Sequence, residues 1–154
     1  MTSRERVLTA LDHREPDRVP IDLGGMRSTG IHAIAYKNLK KFLKYNNKDV
    51  KIYDVFQQLA LVEDNIRRRI HGDVVELKRL DGGFGSKINS WKKFRMFPDD
   101  GEYYVPENFN PEEQSDGSLL VKMNNKTVAS MPKGGYYFDG RYFPLSGVTE
   151  KTKV

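Results

Sequence analysis

The chain has 154 residues, enough for one domain with a real core but short of the ~250 usual for a complete (β/α)8 barrel. With 38% hydrophobic and 31% charged residues it reads as a globular chain, and no apolar run approaches the ~20 residues a membrane helix needs. Lys and Arg number 26 against 21 Asp and Glu, so the net charge of +5 favours anionic ligands without naming one.

From the front, Thr2 with Glu5 has the form of a capping box, and Val7, Leu8 and Leu11 follow at helical spacing, which predicts a helix over residues 3 to 12. Glu15-Pro16-Asp17 stops it. Arg18 to Leu23 reads as a short strand that enters a glycine loop at Gly24-Gly25. A second helix follows, with Ile31, Ile34, Ala35, Leu39, Phe42 and Leu43 on one face and Lys37, Lys40, Lys41 and Lys44 mostly on the other. The simplest account of that basic amphipathic pattern is a core helix with a solvated lysine face. Val50 to Tyr53 reads as a short extended piece. Asp54 then caps a helix through Val55, Phe56, Leu59, Ala60, Val62, Ile66 and Ile70, with Arg67, Arg68 and Arg69 in its last turn and His71-Gly72 closing it. Asp73 to Leu77 reads as a strand.

From residue 80 the texture changes to a glycine- and proline-punctuated stretch rich in aromatics. Leu119–Met123 and Thr127–Met131 flank Asn124-Asn125-Lys126 as a hairpin, because Asn tolerates positive φ. Tyr136-Tyr137-Phe138 reads as a third strand. The organisation is α/β: helices and short strands over 1–79, then a loop-rich β-hairpin layer over 80–154, within the same structural domain.

Several motifs invite chemistry. Gly82-Gly83-Phe84-Gly85-Ser86-Lys87 resembles a phosphate loop but fails both the dinucleotide and the P-loop templates, so it reads as a turn. His13, His32 and His71 lack metal-ligand spacing and read as helix-end or surface residues. The chain has no cysteine, which excludes disulfides, a thiolate nucleophile and sulfur ligands to zinc. Together with an N-terminus lacking a secretory signal, this points to a cytoplasmic protein. Trp91 to Phe97 alternates bases and aromatics as single-strand binding surfaces do, yet a segment packing its aromatics inward shows the same pattern; nucleic acid is not the expected partner. Arg27 lies in the loop Gly24-Gly25-Met26-Arg27-Ser28-Thr29-Gly30, after a strand and before a helix, where α/β proteins bind ligands. It is either a bidentate clamp for a carboxylate or a solvated loop arginine.

The opening Thr2-Ser3-Arg4-Glu5-Arg6-Val7-Leu8-Thr9-Ala10-Leu11-Asp12-His13, followed by Glu15-Pro16-Asp17-Arg18-Val19-Pro20, closely resembles that of the uroporphyrinogen decarboxylase family. The nearest subgroup contains the corrinoid-dependent methyltransferases. Tyr53-Asp54-Val55-Phe56-Gln57-Gln58-Leu59-Ala60 and Pro132-Lys133-Gly134-Gly135-Tyr136-Tyr137-Phe138-Asp139, with Pro144-Leu145, are similar to further landmarks of that subgroup. The resemblance implies the N-terminal part of a (β/α)8 TIM-barrel-type fold whose site lies at the carboxyl ends of the strands. In the decarboxylases an arginine-rich loop after the first strand holds substrate carboxylates, and Gly25, Met26 and Arg27 resemble its start as substrate-binding residues. Ile31 stands where that loop's second arginine belongs, which argues against a porphyrinogen with many carboxylates. The methyltransferases use zinc held by histidine and cysteine in the later half of their chain, so this chain is expected to hold no metal or cofactor of its own. Zinc, a corrinoid and a corrinoid protein as partner belong to the full-length parent.

The leading expectation is therefore a front portion, whether by truncation, proteolysis or a shortened gene, of a parent that moves a methyl group between a corrinoid carrier and a thiol or related acceptor. Alone it is expected to lack a complete active site, so whether this chain is itself an enzyme stays open. Tetrapyrrole decarboxylation of porphyrin biosynthesis is the alternative within the family, and a non-catalytic binding or assembly module the alternative outside it. Open sheet edges would favour self-association.

Overall fold

The computed structural model describes residues 1–77 and 79–146; the last part of the expected hairpin segment, 147–154, lies outside the described residues. Helix α1, Ser3–Leu11, begins with the expected capping box: Glu5 N–H donates to Thr2 Oγ1 at 3.2 Å and Thr2 N–H donates to Glu5 Oε2 at 2.8 Å. Its Arg6 is drawn inward. Arg6 Nε meets Asp17 Oδ1 at 2.6 Å and Arg6 Nη1 meets Asp73 Oδ1 at 2.6 Å, while Arg18 Nη1 reaches Asp73 Oδ2 at 2.7 Å.

The strands expected over 18–23 and 73–77 do not form a ladder among the described residues. One backbone bond joins them, from Asp73 N–H to Ile21 O at 2.7 Å. The reason is local. Pro20 has no N–H to donate, and the Ile21 N–H is taken by the Asp73 carboxylate at 3.0 Å. A side chain thus replaces the next rung.

Helix α2, Ala33–Phe42, is capped by His32, whose Nδ1 accepts from Ile34 N–H at 3.2 Å. Its buried face differs from the expected one. Tyr36 and Lys40 are buried, whereas Phe42 is 80% exposed. Lys40 leaves the solvated row because Glu63 Oε2 lies 2.6 Å from its Nζ and Asp49 O accepts from it at 2.7 Å, so the buried cation is compensated.

The single helix expected from Asp54 to Ile70 is instead three elements: strand β1, Asp49–Asp54, strand β2, Leu59–Ala60, and helix α3, Asp64–Arg69. Asp54 does cap, but it caps a turn. Its Oδ1 accepts from the N–H groups of Phe56 and Gln57, both at 2.9 Å, and Gln58 takes a left-handed φ of 58° that breaks any helix. The chain reverses there, and β2 pairs antiparallel with β1. Backbone bonds from Ala33 N–H to Gln58 O and from Ala60 N–H to Ile31 O, both 2.9 Å, fasten the start of α2 to this hairpin.

Strands β3, Trp91–Lys93, and β4, Glu102–Pro106, complete a four-stranded sheet in the order β2-β1-β4-β3, where β1 and β4 run parallel and the other pairs antiparallel. A second sheet, antiparallel throughout, contains β5, Glu112–Glu113, β6, Leu119–Met123, β7, Lys126–Met131, and β8, Asp139–Gly140. The expected hairpin is present. Asn124 and Asn125 both take positive φ, 48° and 60°, and Lys126 joins the strand opposite Met123. The third strand expected at 136–138 lies further on, at β8. Phe138 is used otherwise: its N–H donates to Phe56 O at 2.9 Å and its ring is buried against Phe84 and Phe109.

The protein is thus mixed α/β with two open sheets, and neither closes into a barrel among the described residues. The core takes side chains from both halves, with Val50, Ile52 and Ile66 from the front and Phe97, Phe109 and Phe138 from the back. No described helix is long and apolar enough to cross a membrane.

Burial by itself would raise the Asp73 carboxyl, but the Ile21 N–H, Arg18, Ser3 and Arg6 outweigh it and hold it well below the ordinary aspartate range. A depressed folded value stabilises above the unfolded value, about pH 4, and that contribution is lost as pH falls toward the folded value. Asp73→Asn is expected to destabilise the fold by about 1–2 kcal/mol at neutral pH, because it removes the charge shared by Arg6 and Arg18 while Arg6 keeps Asp17 and the half-exposed Arg18 keeps solvent. Its urea midpoint should then fall less steeply than that of the parent chain between about pH 4 and pH 2. Equal slopes would remove Asp73 from this role.

Candidate functional site

The loop before α2 is tightly built. Gly24 adopts φ +81° so that its N–H can donate to Thr29 O at 2.8 Å, and Gly25 N–H donates to Asp22 Oδ1 at 2.8 Å. A Cβ at Gly25 would stand 2.5 Å from Asp22 Oδ1 and 2.6 Å from a Val74 methyl, so a larger residue requires both side chains to shift. The closed loop ends in a single 3-10 turn, Arg27–Thr29. Arg27 is carried outward from it.

Beneath that arginine lies Asp54. Arg27 Nε is 2.5 Å from Asp54 Oδ2, and the Asp54 side chain is fully buried while that of Arg27 is 45% exposed. The contact is ionic without hydrogen-bond alignment, since Oδ2 has no hydrogen-bonded partner. A buried carboxylate therefore sets the position of a half-exposed guanidinium, whose Nη groups make no hydrogen bond among the described residues.

Gly25, Met26 and Arg27, the three residues expected to bind substrate, come together on one cleft of about 540 Å3 with Tyr53, Arg79 and Gly82. That is ample for a small ligand. Tyr53 is buried and its hydroxyl finds no hydrogen-bond partner among the described protein groups. Burial pushes its pKa up to about 12, helped by Glu76 and Asp54 and opposed by Arg27 and Arg79, so the phenol is a neutral donor at pH 7. Another cleft, of about 410 Å3, is lined by Asp49, Glu63, Asp64 and Arg67. Two of its charged residues are matched by neighbours, Glu63 by Lys40 and Arg67 by Asp64.

The sequence patterns do not mark Tyr53, Asp54 or Arg79 as site residues. Asp54 carried a signal, its capping chemistry, but the apolar spacing after it pointed to the wrong element. Arg79 carried none.

The other motifs resolve structurally. In the Gly82 turn, Gly82 N–H donates to Ser86 O at 2.7 Å and Phe84 packs on Phe56, Phe109 and Phe138, so the turn is closed on itself. Met96 and Phe97 are buried and Phe94 packs on the core, which leaves the Trp91 to Phe97 segment without a row of displayed rings for stacked bases. His13 and His71 follow helix ends at φ 53° and 58°, and His32 is a cap. No group of three His, Cys, Asp or Glu suited to a metal ion occurs among the described residues.

No family model, curated protein or solved structure matches the chain.

An unsatisfied buried hydroxyl stabilises nothing. Tyr53→Phe is expected to leave the free protein as stable as before or to stabilise it by up to about 1 kcal/mol in chemical unfolding. A loss of more than that would mean the hydroxyl already has a partner.

Proposed function

We propose that this chain is the front portion of a cytoplasmic protein of the uroporphyrinogen decarboxylase type, nearest the corrinoid-dependent methyltransferase-like subgroup. In it the cleft at Gly25, Met26 and Arg27 holds a carboxylate of the ligand. The family reading rests on the Thr2 to Pro20 opening and the Tyr53 to Ala60 and Pro132 to Asp139 segments. The carboxylate reading is carried by one observation: Arg27 is half exposed on a cleft, and a fully buried carboxylate fixes its Nε side while its terminal nitrogens remain available. Forked guanidinium recognition suits a carboxylate better than a point charge does.

In this reading the parent moves a methyl group between a corrinoid carrier and a thiol or related acceptor, with a corrinoid protein as partner. The described residues hold no zinc-ligand cluster, so they are assigned ligand positioning and no step of methyl transfer. The work of Asp54 is to hold Arg27 in place. Tetrapyrrole decarboxylation is the alternative chemistry, and a non-catalytic binding or assembly module the alternative role; for the module, the open edges of the two sheets would be the self-association surface.

Titration with propionate, followed by amide NMR, tests the site. Shifts at Gly25 to Ser28 are expected, and Arg27→Gln should weaken binding about tenfold, the loss of one charge-assisted contact. Equal binding by the variant would end the carboxylate assignment. The reading frame beyond Val154 tests the parent: continuation into a histidine and cysteine pair is expected, and a stop codon at once would favour the module.

A further inference from the structure

The cleft presents a second guanidinium that the carboxylate reading does not use. Arg79 lines it from the 76–82 stretch, is exposed, and forms no ion pair among the described residues. Two carboxylates, Glu76 and Asp81, line the same cleft, but Asp81 pairs with Lys87 and Glu76 has a contact of its own, while Asp54 beneath pairs with Arg27. The groups left to take an anionic ligand are the two arginine forks.

We propose that the ligand is a small dicarboxylate, with one carboxylate on Arg27 and the other on Arg79, and with the Tyr53 hydroxyl between them as a neutral donor. The proposal rests on the carboxylate reading of Arg27 and adds the second charge. The orphaned Tyr53 hydroxyl supports it independently, since a buried donor without a partner is rare and is satisfied when a ligand oxygen arrives. Arg27, Arg79 and Tyr53 line the same cleft, and both arginines oppose the effect of burial on the phenol. A cleft of about 540 Å3 accommodates a diacid of a few carbons. Two forks also select against the monoacid, because a single carboxylate leaves one fork unmatched.

The test compares glutarate with glutaramate, its monoamide of equal length, by isothermal titration at low salt on the full chain. Glutarate should bind at least about tenfold tighter than glutaramate, the worth of one charge-assisted contact. In Arg79→Gln the glutarate affinity should fall to that of the monoamide, and Arg79→Lys, which keeps charge without the fork, should restore only part of the preference. Arg27→Gln should weaken both compounds. Arg79 is exposed, so these variants are expected to fold, and a far-UV spectrum and melting curve matching the parent chain confirm it. A preference for glutarate that survives Arg79→Gln, or a parent chain that binds both compounds equally, overturns the dicarboxylate proposal and leaves the carboxylate site standing. No binding of either compound overturns both.

Discussion

The Asp54 carboxylate is the constraint on which the front of this protein turns. A charge with no solvent exposure has to be compensated where it lies, and Asp54 divides that task between its two oxygens. One accepts from the Phe56 and Gln57 N–H groups and so ends β1 in a reverse turn. The other draws in Arg27 from the loop before α2. The first bond set makes the β1–β2 hairpin, to which α2 is then fastened through Ala33 and Ala60. The second fixes a guanidinium over a cleft. Fold and candidate site are joined through one side chain.

A second buried carboxylate does comparable work at the outer end. Asp73 gathers Arg6 from α1, Arg18 from the connecting segment and the Ile21 N–H, and in doing so takes the place of a strand ladder. Both aspartates are structural charges, yet their consequences differ. Every oxygen of Asp73 is hydrogen-bonded, so that cluster is complete. Asp54 keeps Oδ2 without an aligned hydrogen bond and shares it with a partly exposed cation, and the Tyr53 hydroxyl beside it is orphaned. Buried side-chain atoms without an aligned partner among the described residues are Tyr53 Oη, Asp54 Oδ2, Gln58 Oε1 and Ser86 Oγ, and of these residues Tyr53 lines the cleft at Arg27.

Local chemistry in the sequence carried much of this. The Thr2 and Glu5 pair located α1, the two asparagines at 124 and 125 located the hairpin, and the glycines around Arg27 located the loop that meets the cleft. What stayed hidden depended on partners distant in sequence. Val55, Leu59 and Ile66 repeat at near-helical spacing and are all buried, but they reach the core from a turn, a strand and a short helix in succession. Lys40 looks like its neighbours Lys37, Lys41 and Lys44 until Glu63 folds over it. The pairing expected between 18–23 and 73–77 gave way to a side-chain rung that no periodicity reveals. Arg79 became part of the site only because its stretch folds back beside Tyr53 and the Arg27 loop.

The most direct test of this account is a double-mutant cycle on unfolding free energy with Arg27→Gln and Asp54→Asn, since Asn keeps an oxygen for the two turn N–H groups and replaces the charged Oδ2 that faces Arg27. If Asp54 positions Arg27, the two substitutions should be non-additive, with a coupling of about 1 kcal/mol that persists at moderate salt because the carboxylate is buried. Strictly additive effects would contradict the account: Arg27 would then be a solvated loop arginine, and the cleft would lose the interaction that defines it.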